Sequence, residues 1–146
     1  MIEVANQKSV LLLNSASLAT NATATANVDT RGFDACRIAV WQSQTGAPAV
    51  LKVEHGDTTD ATAFVTVNAT GGTDFTIAAS TATTTNPAAV FDIVTAGLRR
   101  YLRLTITPNA AAAANVVAIA ELGRPLAGID SATDLSASNY VTVPGR

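Results

Sequence analysis

The sequence predicts an all-β protein: an antiparallel β-sandwich of about eight strands, jelly-roll-like, with extended N- and C-terminal arms. Three observations carry this expectation. Short segments of alternating apolar and polar residues recur between Ala26 and Leu122, separated by Gly, Pro, Asn and Thr turn signals. Ala and Thr make up about a third of the chain, and dense Thr suits a pleated surface better than a helix. The one Ala run, Ala110 to Ala114, is too short to stand as a helix and reads as a loop.

The elements follow in order. Val10-Leu11-Leu12-Leu13 is a short apolar strand or arm, and 14–25 is polar and loop-like. Ala26, Val28 and Thr30 alternate with Asn27 and Asp29, and Arg31-Gly32 breaks that strand. Cys36, Ile38 and Val40 share a face opposite Arg37, Ala39 and Trp41. After the turn signal Thr45-Gly46-Ala47-Pro48 comes Val50 to His55, with Leu51 and Val53 on one face and Lys52 and Glu54 on the other. The short loop between these two strands predicts a hairpin. Gly56 to Thr62 is a polar loop, and Phe64 to Asn68 is the next strand, ended by Gly71-Gly72. Phe75 and Ile77 mark another, and Ser80 to Pro87 is a Thr-rich irregular stretch. Val90 to Val94 follows. Arg100 to Thr107 is the cleanest strand, with Leu102, Leu104 and Ile106 on one face and Tyr101, Arg103, Thr105 and Thr107 on the other; Pro108 stops it. Val116 to Leu122 is the last strand of the body. The expected core is Ile38, Val40, Leu51, Val53, Phe91, Ile93, Leu102, Leu104 and Ile106.

This gives one domain in 146 residues, with an N-terminal arm at 1–23, a sandwich body at 24–123 and a C-terminal extended arm at 124–146. An immunoglobulin-like sandwich is the rival topology. It lacks its Cys…Trp…Cys framework here, because Cys36 and Trp41 fall on one strand.

Composition narrows the function classes. The net charge of −2 gives no electrostatic footprint for nucleic acid. The run Val10 to Leu13 is far too short to cross a membrane and has no basic leader, so neither a signal peptide nor a membrane anchor is expected. The single Cys leaves no internal disulfide, which favours synthesis in the cytoplasm. A catalytic centre needs convergent acids, bases or nucleophiles, and only one His and one Cys are present, so no enzyme, no cofactor and no metal are expected.

His55 lies near Asp57 and Asp60 and is expected to be an exposed loop histidine, because one His without a second soft ligand makes a poor zinc site. Asp57, Asp60 and Asp74 could offer oxygens to calcium, but they do not match an EF-hand loop and are ordinary turn residues. Cys36 is expected to be a small buried hydrophobe. Trp41 could pack, line an interface or stack on a sugar. Arg99, Arg100 and Arg103, with Tyr101, are the main positive concentration. They form either a docking surface for an acidic partner or internal salt bridges, with Asp92 and Glu121 as candidate partners. The arms carry apolar anchors outside the periodic body: Val10, Leu11, Leu12 and Leu13 at one end, and Leu126, Ile129, Leu135 and Tyr140 at the other. Such anchors need a surface to lie on, which points to assembly with other subunits.

Four segments carry a resemblance: Val28-Asp29-Thr30-Arg31-Gly32-Phe33-Asp34, Lys52-Val53-Glu54-His55-Gly56-Asp57, Arg99-Arg100-Tyr101-Leu102-Arg103-Leu104 and Ala120-Glu121-Leu122-Gly123-Arg124-Pro125. Together they resemble the β-sandwich capsid decoration (cement) proteins of tailed bacteriophages. The resemblance implies a structural virion protein on the capsid exterior, made in the host cytoplasm, with the major capsid protein as partner and a homotrimer as the working unit. It supplies no catalytic residues. A carbohydrate-binding or host-attachment sandwich is the alternative, and two or three aromatics converging on one exposed patch would favour it.

Overall fold

The computed structural model describes residues 7–43, 48–67, 89–110, 113–123 and 140–143. Their strands are β1 (Lys8–Leu18), β2 (Ala24–Asp29), β3 (Ala35–Gln42), β4 (Val50–Gly56), β5 (Val65–Thr66), β6 (Ala89–Val94), β7 (Tyr101–Thr107), β8 (Ala114–Gly123) and β9 (Tyr140–Val143). The one helical element among them is a single 3-10 turn, Ala61–Ala63.

The strands form two sheets, in the orders β1-β8-β3-β6-β9 and β2-β7-β4-β5. Four antiparallel pairs are nested: β4 with β5, β3 with β6, β2 with β7 and β1 with β8. This is a two-stranded ribbon rolled up on itself, and β3·β8 and β4·β7 close the roll. The result is the eight-strand jelly-roll arrangement. β9 is added beside β6, and that one pair is parallel.

The core lies between the sheets, and all nine residues expected there are buried. On β3, Cys36, Ile38 and Val40 alternate inward with no exposed surface. They meet Leu122, Ala120 and Ala118 of β8 on one side and Ile93, Phe91 and Ala89 of β6 on the other. Large residues thus sit beside small ones along each row. That explains how a chain poor in aromatics packs densely: inward Ala on β8 and β6 makes room for Ile38 and Phe91. Two tight turns shape one end of the roll. The Phe33 N–H donates to the Thr30 carbonyl and the Leu98 N–H to the Thr95 carbonyl, both at 3.0 Å. Gly32 and Gly97 sit at the third position of these turns with φ of +88° and +77°, where a Cβ would be strained.

Four sequence expectations change. First, β3 and β4 are not a hairpin: they belong to different sheets. β3 lies between β8 and β6, and β4 lies between β7 and β5. Second, Lys8–Leu18 is not an arm outside the body but the end strand of the larger sheet, paired with β8. The register shifts between Leu11 and Leu13, and again between Leu13 and Ala16, so Val10, Leu12 and Leu13 all reach the core edge. A bulge of this kind destroys the period-two pattern that marks a strand. Third, the segment expected to run as a strand from Phe64 pairs with β4 at Val65 and Thr66, followed by one bond from the Val67 N–H to the Val53 carbonyl at 3.4 Å, while Phe64 precedes the ladder and lays its ring against Arg103 of β7 on the outer face. Fourth, Tyr140–Val143, expected in the C-terminal arm, forms a sheet strand. The expected strand around Phe75 and Ile77 and the stretch Ser80 to Pro87 lie outside the described residues.

Candidate interaction surface

The outer face of the smaller sheet begins with alternation on β4 and β7. Lys52 and Glu54 point outward on β4, and Arg103 and Thr105 do so on β7. The register sets Glu54 directly opposite Arg103. Arg103 donates from Nε and Nη2 to Glu54 Oε2, at 2.9 and 2.7 Å, and Thr105 Oγ1 donates to the same oxygen at 3.3 Å. Lys52 Nζ lies 3.3 Å from Glu54 Oε1. The pair is nearly dry, with side-chain exposures of 14% for Arg103 and 7% for Glu54.

What covers it is the loop from Asp57 to Phe64. Arg103 Nη1 donates to the Ala61 carbonyl, and the Phe64 ring lies 4.2 Å from the Arg103 guanidinium carbon. Arg99 Nη1 donates to the Ala63 carbonyl. Gly56 permits this close approach, since a Cβ there would stand 3.1 Å from both the Ala63 carbonyl oxygen and the Phe64 ring. Burial pushes the Glu54 carboxyl up, but hydrogen bonds and charge from Arg103, helped by Lys52, outweigh it and hold the group below the ordinary glutamate range.

Arg100 is spoken for as well. Its Nε and Nη2 donate to Asp29 Oδ1 and Oδ2 at 3.0 and 2.6 Å, a two-pronged pair, and its guanidinium lies 4.8 Å from the Tyr101 ring. The Arg100 hydrogen bonds lower the Asp29 pKa to about 2. Arg99 lies 3.5 Å from Asp57, and its backbone N–H donates to His55 Nδ1 at 3.1 Å.

The expected basic docking face is therefore largely neutralised within the fold. Its carboxylate partners are Asp29, Glu54 and Asp57. Asp92 instead pairs with Arg37, at 2.8 Å on the other sheet, and Glu121 is exposed. The sequence shows Glu54 in outward phase but not the strand register that sets it against Arg103, so this partner was missed. His55 is corrected from an exposed loop residue to a buried one: it shares the inward phase of Leu51 and Val53 at the end of β4.

The remaining candidates fall as follows. Cys36 is buried, and burial, followed by the charge of Asp92, pushes its thiol up to about 12. Asp60 is held in a local turn, accepting from Thr58 Oγ1 at 3.4 Å; Asp74 lies outside the described residues. Among the described residues no three metal-capable side chains come together. Trp41 is half-buried on the outer face of the larger sheet, opposite Val117. The other described aromatic side chains are spread out: Phe91 is in the core, Phe33 packs against it, and Phe64 and Tyr101 lie under arginines. No aromatic platform for a sugar forms among them. Val10, Leu12 and Leu13 pack partly against the core, whereas Leu11 is 54% exposed on the outer face. Leu126, Ile129 and Leu135 lie outside the described residues, and Tyr140 opens β9, paired with Val90.

No protein-family model, curated protein or solved structure matches this chain.

The outer face of the larger sheet differs in kind from the arginine network. The register aligns Leu11, Ile119, Ala39 and Val90 in one row and sets Val117 beside Trp41. Leu11 is exposed, Ile119, Ala39, Val117 and Trp41 are half-buried, and Val90 at the end of the row is buried. Such a row offers area to a protein surface but no reactive group.

Proposed function

We propose that the chain is a structural virion protein that binds the outer surface of a tailed-phage capsid and stabilises it by bridging neighbouring capsid subunits. The observation that carries this reading is the combination of a jelly roll with carboxylate–arginine pairs closed within it. The charged groups are used to hold the fold, and the apolar row on the larger sheet, exposed at Leu11 and half-buried at Ile119 and Ala39, suits contact with other subunits. Jelly rolls also serve lectin-like modules, so fold alone does not choose between the two readings. The aromatics are scattered among the described residues, which weighs against a sugar site, and the resemblance of the four segments weighs for the capsid.

The proposed partner is the major capsid protein, the proposed place is the capsid exterior after synthesis in the host cytoplasm, and contact passes through the larger sheet rather than through Arg99, Arg100 and Arg103. The test is cosedimentation with empty, expanded phage heads stripped of their surface proteins, beside a glycan array. Saturable binding to heads and none to glycans is expected. Glycan binding without head binding overturns the proposal in favour of a host-attachment module.

A further inference from the structure

We infer that His55 is an acid-released latch: its neutral imidazole ties the turn between β6 and β7 to the end of β4, and a proton taken from solvent unties it. This goes beyond the capsid reading and does not depend on it. His55 is the chain's one histidine, and it is 6% exposed at the inward-facing end of β4. Its Nδ1 accepts the Arg99 backbone N–H at 3.1 Å, across 44 residues of sequence. A ring nitrogen that accepts carries no proton, so the neutral ring bears its hydrogen on Nε2. A second proton enters at Nδ1. It turns the acceptor into a donor and sets N–H against N–H, so the bond to Arg99 is lost. Burial adds to the cost of the charged ring.

Arg99 makes this bond more than a local one. While His55 holds its backbone, its Nη1 donates to the Ala63 carbonyl at 3.2 Å and lies 3.5 Å from Asp57. One residue thus joins the end of β4, the β6–β7 turn and the loop that covers Arg103 and Glu54. The elements paired or bonded to His55 carry these charged groups: Lys52 and Glu54 on β4, Asp57 and Asp60 in the loop, Arg99 and Arg100 in the turn, and Arg103 on β7; β5 carries none. Glu54 is closed on Arg103 and Lys52, Asp57 faces Arg99, and Asp60 is held in its own turn by Thr58. Arg100 is taken by Asp29. These carboxylates are committed away from the ring, and the cation in the residue that His55 binds is Arg99 itself. An ordinary imidazole takes its second proton at about pH 6.5. The latch therefore stabilises the fold above that range and loses its hold as pH falls below it. Release loosens the Asp57-to-Phe64 loop at one end of the roll.

The test follows the full chain from about pH 7 to about pH 5, between the Asp29 window, which ends near 4, and the Cys36 thiol at about 12. The unfolding equilibrium constant in urea should rise about tenfold or more over this range, as one proton binds the unfolded chain and not the latched one. His55→Asn places Oδ1 where Nδ1 stood, so it accepts from Arg99 and does not titrate; its stability should stay within about twofold. In the parent chain, hydrogen exchange of the Arg99 amide, corrected for its intrinsic pH dependence, should accelerate by a larger factor than that of amides at the centre of β7. This measurement decides alone if His55→Asn does not fold. A flat profile in the parent chain, a His55→Asn profile that falls in parallel with it, or an imidazole that takes its second proton while Arg99 exchange only keeps pace with the centre of β7 each overturn the inference.

Discussion

Phe91→Ala is expected to destabilise the protein by about 3–5 kcal/mol. Phe91 is the largest fully buried side chain among the described residues, with no exposed surface. It stands in an inward row with Ile38 and Ala120, and its backbone pairs with Ile38 on one side and Val141 on the other. A cavity there has little chance to close. Ala120 is too small to fill it, and ladders on both flanks of β6 hold the strands in place. Leu104→Ala, at the centre of the smaller sheet, should cost about 2–5 kcal/mol for the same reason. Urea unfolding followed by tryptophan fluorescence measures both. A loss below about 1 kcal/mol for Phe91→Ala would contradict this packing.

Arg103→Ala should cost about 3 kcal/mol, because it strands Glu54 beneath the Asp57-to-Phe64 loop without its main partner. It also removes the donor to the Ala61 carbonyl and the cation above Phe64. Replacing both members, Arg103→Met with Glu54→Met, should recover much of that loss, since an apolar pair carries no desolvation cost. If the single and double variants are equally unstable, the stabilisation comes from the Arg103 stem and not from the ion pair.

The same chemistry sets the acid limb. Glu54 and Asp29 both have folded pKa values below their unfolded ones, so their stabilisation is present above the ordinary carboxylate range and is lost as pH falls through the folded values. For Asp29 that window runs from about 4 down to about 2. Water screens this partly exposed pair, so its share is the smaller one. The melting temperature should fall across this range, and less steeply in Glu54→Gln, which has no carboxylate to protonate.

How much the sequence revealed depended on regular alternation. β3 and β7 alternate regularly, and the phase of Leu51 and Val53 on β4 and of Phe91 and Ile93 on β6 gave their core residues, whereas β8 is apolar at nearly every position and its core face could not be read. β1 could not be read as a strand of the sandwich, because its bulge places Leu12 and Leu13 together at the core edge and leaves a bare apolar run. The β3–β4 connection misled because turn residues look alike whether a chain folds back in one sheet or crosses to the other. The arginines were visible as a group, but their roles were not. Whether Arg103 meets a partner's carboxylate or its own Glu54 is decided by register between strands nearly fifty residues apart, which local pattern does not encode. His55 misled for a related reason: its neighbours Gly56, Asp57 and Asp60 suggest a solvated loop, while its phase on β4 turns it inward.

The proposed role is to stabilise a capsid by bridging its subunits. The most direct measurement is differential scanning calorimetry of empty phage heads with and without saturating protein. Bridging predicts that head disruption moves up by several degrees, and that Leu104→Ala, which weakens the sandwich, reduces the gain. Heads that bind the protein fully yet melt at an unchanged temperature would contradict the account.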